Sequence, residues 1–155
     1  MSYDVAVAGG SFAGLVTATR LRGRVALVEK REIGDGQTSA CATTLDAVHQ
    51  LGLEESIEEV HDEGVMHLRG GVVRFKLPYP FCTFDYRTFC RLLLERFDGD
   101  LVQAAVSSVR TAGPTATLLT DGPPVDARLI VDATGWRATL ARSVDPAFPA
   151  RAQLT

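Results

Sequence analysis

The segment "VAVAGGSFAGL", Val5 to Leu15, constrains the fold more than any other part of the chain. Four apolar residues run directly into Gly9 and Gly10, and a third glycine follows at Gly14. The apolar run predicts a buried strand over Tyr3–Ala8. Beyond the glycines, Phe12, Leu15, Ala18 and Leu21 recur at helical spacing, which predicts a helix over Ser11–Leu21 ended by Gly23. "RVALVEK", Arg24–Lys30, predicts a second short apolar strand. Parallel strands require such a helical crossover, and it is right-handed in nearly all cases.

That first junction has a chemical consequence. A strand that stops on glycines and restarts as a helix leaves several backbone N–H groups aimed at one spot, with the positive end of the helix dipole behind them. The result is an anion site, and glycine lets a pyrophosphate approach the backbone closely. The spacing here is Gly9-x-Ser11-x-x-Gly14, with serine at the middle glycine position. Serine is small, and its hydroxyl can itself donate to phosphate. Glu29 closes the second strand about 20 residues after Gly9, where a ribose-binding carboxylate belongs. The competing reading is a tight strand-to-helix turn with a surface glutamate. The loop lacks the G-K-[ST] ending of a phosphate-binding loop of triphosphatases, and no G-x-S-x-G nucleophile turn is present.

Further along, "REIGDGQTSACATT" reads as a loop over the sheet, rich in Gly, Asp, Thr and Ser. Leu45–Leu51 predicts a helix stopped by Gly52, and "LEESIEEV", Leu53–Val60, a second short amphipathic helix. "VMHLRGGVVRFKL" predicts a hairpin with its two glycines at the turn, and "PYPFCTF" an extended, proline-limited stretch. Tyr86–Phe97 predicts a helix with Asp85 as N-cap and Phe89, Leu92, Leu93 and Phe97 facing inward. A strand over Leu101–Val106 follows, then two weaker strands near Val109 and at "TATLLT", a turn at "DGPP", and a last strand in "ARLIVDATG" that again ends on glycine. The late antiparallel strands depart from a simple alternating α/β pattern.

At 155 residues the chain suits one domain. A net charge of -3, with the basic residues nearly all scattered arginines, argues against a nucleic-acid partner. Three cysteines, Cys41, Cys82 and Cys90, form no C-x-x-C pair, and an odd number argues against a disulfide framework, so a reducing, cytoplasmic setting is expected. No basic leader is seen before the short N-terminal apolar stretch, and no segment reaches the roughly 18 apolar residues of a membrane span. His49, His61 and His67 lack metal-ligand spacing, and "LEESIEEVHDE" reads as a solvated acidic face.

"GGSFAGL" resembles the dinucleotide motif of FAD-dependent oxidoreductases. "REIGDGQTSACATT", "LGLEESI", "LPYPFCTFDYRTFCRLLLER" and "LIVDATGWRATLAR" follow in the order seen in the geranylgeranyl-reductase-like group, within the para-hydroxybenzoate-hydroxylase type of flavoprotein. The resemblance covers nearly the whole chain, and the ordered set is more specific than the first motif. It implies an α/β fold: a Rossmann-like FAD-binding domain with a central parallel sheet, crossover helices and a small antiparallel meander. It also implies that Gly9, Gly10, Ser11, Phe12, Ala13 and Gly14 line the FAD pyrophosphate, that Glu29 holds the adenosine ribose, and that Lys30 flanks the adenine near Ala105 and Val106. Asp132 to Gly135 would pack close to the cofactor. Cys41 lies on the loop that approaches the flavin ring in such proteins, against the simpler reading of a small buried residue. Trp136 is weighed between covering the cofactor and packing.

Three departures stand out. Thr134 occupies a position that is Asp in the hydroxylase form of the last motif, and Tyr86, with Arg87 beside it, stands where the long helix usually opens with a flavin-contacting Arg. Relatives also continue into a substrate-binding domain and a returning Gly-Asp segment that "RAQLT" does not reach. Residues 1–155 are thus expected to form the FAD-binding part alone, completed by a missing C-terminal half or a partner chain. The expected activity is hydride or oxygen transfer to an apolar small-molecule substrate, an isoprenoid or aromatic compound, with NAD(P)H as electron source. The alternatives are a non-catalytic nucleotide-binding module and the NAD-binding domain of a dehydrogenase, since Glu29 suits either ribose.

Overall fold

The computed structural model describes residues 2–37 and 40–148; Thr38 and Ser39 of the predicted loop, and the terminal "RAQLT", lie outside the described residues. In chain order the elements are β1 (Tyr3–Ala8), α1 (Phe12–Ala18), β2 (Val25–Glu29), β3 (Ala42–Thr44), α2 (Leu45–Leu51), β4 (Ile57–Leu68), β5 (Gly71–Phe84), α3 (Tyr86–Leu94), β6 (Asp100–Gln103), β7 (Val106–Ala112), β8 (Thr115–Thr120), β9 (Val125–Asp132) and α4 (Thr139–Val144). The main sheet runs β6-β2-β1-β9-β8-β7. Its first four strands are parallel, with β1 between β2 and β9 and β6 outside β2. The last two add an antiparallel meander through β9.

Strand alternation explains how "VAVA" serves a sheet buried on both sides. Val5 and Val7, with Val25 and Leu27 of β2, face a core shared with Leu15, Phe84, Phe89 and Leu93. Ala6, Ala8, Ala26 and Val28 face the opposite core with Leu118, Ala127 and Leu140. The regular part of α1 is shorter than the spacing suggests: beyond Ala18, turn-type bonds from Arg20 to Thr17 and from Leu21 to Ala18 replace the helical ladder.

Between β2 and β6 the chain builds a smaller antiparallel sheet, β3-β5-β4. Here the predicted helix over Leu53–Val60 is corrected. Only Glu54–Ser56 makes a single 3-10 turn, and β4 starts at Ile57, pairing with Phe84, Thr83 and Cys82 of β5. A helix would stack Glu54 on Glu58 and Glu55 on Glu59, like charges at i,i+4, whereas Ile57 and Val60 suit a pleated surface. The hairpin forms, but its turn falls at Arg69 and Gly70 rather than at the two glycines, since Gly71 already pairs with Leu68 at the start of β5, and the proline stretch sits where β4–β5 pairing slips between Glu63/Lys76 and His61/Phe81. Met66, Leu68, Val73 and Phe75 share one face of this hairpin and are 43–55% exposed.

Two further boundaries differ. Helix α3 ends at Leu94, short of Phe97, and its capping by Asp85 is as read, with the carboxylate accepting from the Thr88 amide at 2.7 Å. The strand expected over Leu101–Val106 is two strands. The chain turns at Ala104–Ala105, where the Asp121 carboxylate accepts from the Ala105 amide at 2.8 Å and the Asp121 amide donates back to the Ala105 carbonyl. β6 pairs with β2 and β7 with β8, so one continuous strand could not serve both. Among the described residues, no helix is long and apolar enough to cross a membrane.

Candidate dinucleotide site

The loops that leave β1, β2, β6 and β9 meet at the C-terminal edge of the parallel strands, where open α/β sheets bind ligands. Gly9 turns the chain out of β1 with φ +108°, a left-handed conformation that favours glycine, and its amide donates to the Val28 carbonyl at 2.8 Å. The Ala133 amide, at the end of β9, donates to the Ala8 carbonyl, and a Cβ on Gly9 would overlap the Ala133 carbonyl oxygen. Gly14 presses the first turn of α1 onto the strand end: a Cβ there would overlap the Gly9 carbonyl oxygen.

The junction leaves backbone donors unspent. The first helical bond of α1 runs from the Leu15 amide to the Ser11 carbonyl. The amides of Phe12, Ala13 and Gly14 therefore have no intrahelical acceptor. Ser11 stands at the N-cap but makes no capping bond; its hydroxyl lies 3.1 Å from that of Tyr86 instead. The Phe12 ring turns into the core, edge-on to Phe84, Tyr86 and Phe89. Glu29 accepts from the Gly10 amide at 2.7 Å through Oε2 and from the Arg31 amide at 3.0 Å through Oε1. Each carboxylate oxygen has about two lone-pair sites, so these bonds fix the side chain and leave capacity for two further donors such as ribose hydroxyls.

Two grooves open around these groups. One, of about 270 Å³, is lined by Gly9, Gly10, Ser11, Glu29, Tyr86 and Gly135 together with the loop after β2. The other, of about 300 Å³, is lined by Val28, Ala104, Ala105 and Val106 and shares Gly9, Glu29, Lys30, Thr134 and Arg137 with the first. Of the residues singled out in the sequence, Gly9, Gly10, Ser11, Glu29, Lys30, Ala105, Val106 and Gly135 therefore line these two adjoining grooves. Phe12, Ala13 and Gly14 line neither groove. Cys41 lines neither groove; it is buried in the main core at φ +50°.

Asp132 lines neither groove either. Its carboxylate accepts from the Thr134 amide and hydroxyl and from the amides of Leu140 and Ala141, and so caps α4. Burial works to raise the Asp132 carboxyl, but those bonds outweigh it and hold the group below its ordinary range. The Thr88 hydroxyl and amide lower Asp85 in the same way. A carboxyl held below its unfolded value stabilises the fold above about pH 4 and loses that contribution as pH falls through the folded value. Asp132→Asn is therefore expected to lower Tm at about pH 7 by more than at about pH 2.5. Thermal melts at the two pH values check this, and an equal deficit at both would contradict it.

Sequence reasoning missed the wall formed by Arg31, Asp35 and Arg137, and the bond between Ser11 and Tyr86. Thr134, within the "DATG" stretch expected near the cofactor, lines both grooves, and Arg137 follows two residues after its glycine. Arg87, weighed beside Tyr86, instead pairs with Asp35 at 2.6 Å.

No protein-family model matches the chain, and no curated protein matches its sequence. Solved structures do match its fold. A geranylgeranyl bacteriochlorophyll reductase-like protein from Thermoplasma acidophilum superposes with a TM-score of 0.77 at 16% identity, covering 93% of this chain and 42% of that one. A mutant of PqsL from P. aeruginosa gives 0.75 at 20% identity, covering 93% and 46%. The halogenase PltM, solved with phloroglucinol and FAD, gives 0.64 at 14% identity, covering 84% and 34%. The resemblance read from the motifs thus holds at the level of the fold: the chain shares the α/β architecture of a portion of each of these structures. The chain spans less than half the length of each of these structures.

Proposed function

We propose that the chain is the FAD-binding portion of a flavin-dependent oxidoreductase and holds the ADP half of FAD along the cleft from Gly9 to Val106. One observation supports this most. The Gly9–Ser11 turn, a Glu29 carboxylate with lone pairs to spare and the Ala104–Val106 wall are far apart in sequence yet line two grooves that share Gly9, Glu29 and Lys30. In this reading the amides of Phe12, Ala13 and Gly14 and the Ser11 hydroxyl take the diphosphate, and Glu29 accepts from the ribose hydroxyls. Lys30 flanks the adenine against Ala105 and Val106, and Gly135 borders the cleft after β9. FAD supplies the redox chemistry when bound; the chain's own residues bind, orient and exclude water. No side chain here is assigned as acid or base.

The substrate in this proposal is an apolar small molecule, with an isoprenoid suggested by the reductase-like neighbour and NAD(P)H as electron source. A partner chain or further polypeptide completes the enzyme. The exposed apolar face of the β4–β5 hairpin and the partial coverage of every neighbour named above both favour that arrangement. The setting proposed is cytoplasmic. A second reading, a nucleotide-binding module without chemistry of its own, is favoured by the same partial coverage.

The purified chain is expected to be yellow, or to quench flavin fluorescence on addition of FAD, with ADP competing. A colourless chain that ignores FAD and binds NADH would place it among dehydrogenase domains instead. Equal affinity for ADP and FAD without turnover would favour the module.

A further inference from the structure

The geometry points to Tyr86 as a positioning residue that aims the Ser11 hydroxyl at the phosphate of a bound nucleoside diphosphate, a role that rests on the cleft reading above. Serine at an N-cap ordinarily turns its oxygen onto an amide two or three residues on. Ser11 does not; its Oγ lies 3.1 Å from the Tyr86 Oη, across 75 positions of sequence. Tyr86 is the first residue of α3, is 7% exposed and forms part of the groove wall. Its ring is held edge-on by Phe12, with centroids 5.1 Å apart, and the helix start is pinned by the Asp85 cap. The phenol is thus fixed before any ligand arrives.

A hydroxyl carries one proton and two lone pairs. Either hydroxyl can donate across the 3.1 Å contact. With a phosphate bound, the arrangement proposed has the Tyr86 hydroxyl donating and the Ser11 oxygen accepting, so that the Ser11 proton goes to the phosphate. Burial, the largest influence, raises the Tyr86 phenol above its ordinary value, so its proton stays in place through the neutral range. Serine at the middle glycine position and tyrosine at the head of α3 form one device: the first supplies a side-chain donor to phosphate and the second orients it.

The test is a set of NMR titrations with ADP and with adenosine on the wild-type chain, Tyr86→Phe, Ser11→Gly and the double variant. Tyr86→Phe keeps the ring and its packing. It is expected to weaken ADP by about tenfold and to leave adenosine unchanged. Ser11→Gly should lose ADP affinity to a similar degree, with the double variant no worse than Ser11→Gly alone. Full ADP affinity in Tyr86→Phe, equal losses for ADP and adenosine, or additive losses in the double variant would each overturn the relay while leaving the cleft reading intact. A wild-type chain that binds no ADP would overturn both.

Discussion

Gly14→Val is expected to abolish the proposed binding of ADP and is the most damaging single substitution expected at the turn from β1 into α1. The α1 backbone lies so close to the end of β1 that even a methyl group at Gly14 would occupy the space of the Gly9 carbonyl oxygen. Valine adds two further carbons, and the chain can accommodate them only by lifting α1 from the sheet. Overpacking a tight site costs roughly 3 kcal/mol, which for a chain of this size lowers Tm by about 6–12 °C. Lifting the helix also scatters the amides of Phe12, Ala13 and Gly14, so affinity for ADP is lost even where the variant stays folded. Melting curves and ADP titrations on the same preparation check both parts. Retained ADP affinity would show that the amides of this turn do not hold the ligand.

Glu29→Ala carries the second largest effect, by a different route. The carboxylate does two jobs: it accepts from the Gly10 and Arg31 amides, and it presents its remaining lone pairs to the cleft. Alanine deletes both. Loss of a charged hydrogen bond to a ribose hydroxyl costs about 1.5–3 kcal/mol, or roughly 10- to 100-fold in affinity for ADP. Glu29→Gln keeps one carbonyl acceptor and should fall between wild type and alanine. The order wild type, Gln, Ala in ADP affinity, read by calorimetry, is the expected outcome; no loss in the alanine variant would remove Glu29 from the ribose site.

The first β-α-β unit was legible because its signals are local. A continuous apolar run, glycines at the turn and helical spacing together leave one arrangement. The Gly52 stop, the Asp85 cap and the Gly70 turn were legible for the same reason. What escaped was set by distant partners. Leu53–Val60 carries apolar residues at helical intervals, but pairing with β5 makes most of it a strand, and only its stacked glutamates hinted at this. The break at Ala104–Ala105 depends on the Asp121 side chain, 16 positions away. That the Asp132 carboxylate reaches forward to cap α4 was not readable either, because that short helix gave no helical signal of its own. The contact between Ser11 and Tyr86 joins two elements that no local pattern connects.

The central claim is that the turn from β1 into α1 takes a diphosphate, and amide-resolved NMR during titration with ADP tests it most directly. The account predicts saturable shifts concentrated on Ser11, Phe12, Ala13 and Gly14, with smaller changes at Gly10 and Arg31 as the Glu29 carboxylate adjusts. Shifts that appear elsewhere while these amides stay unmoved would contradict it.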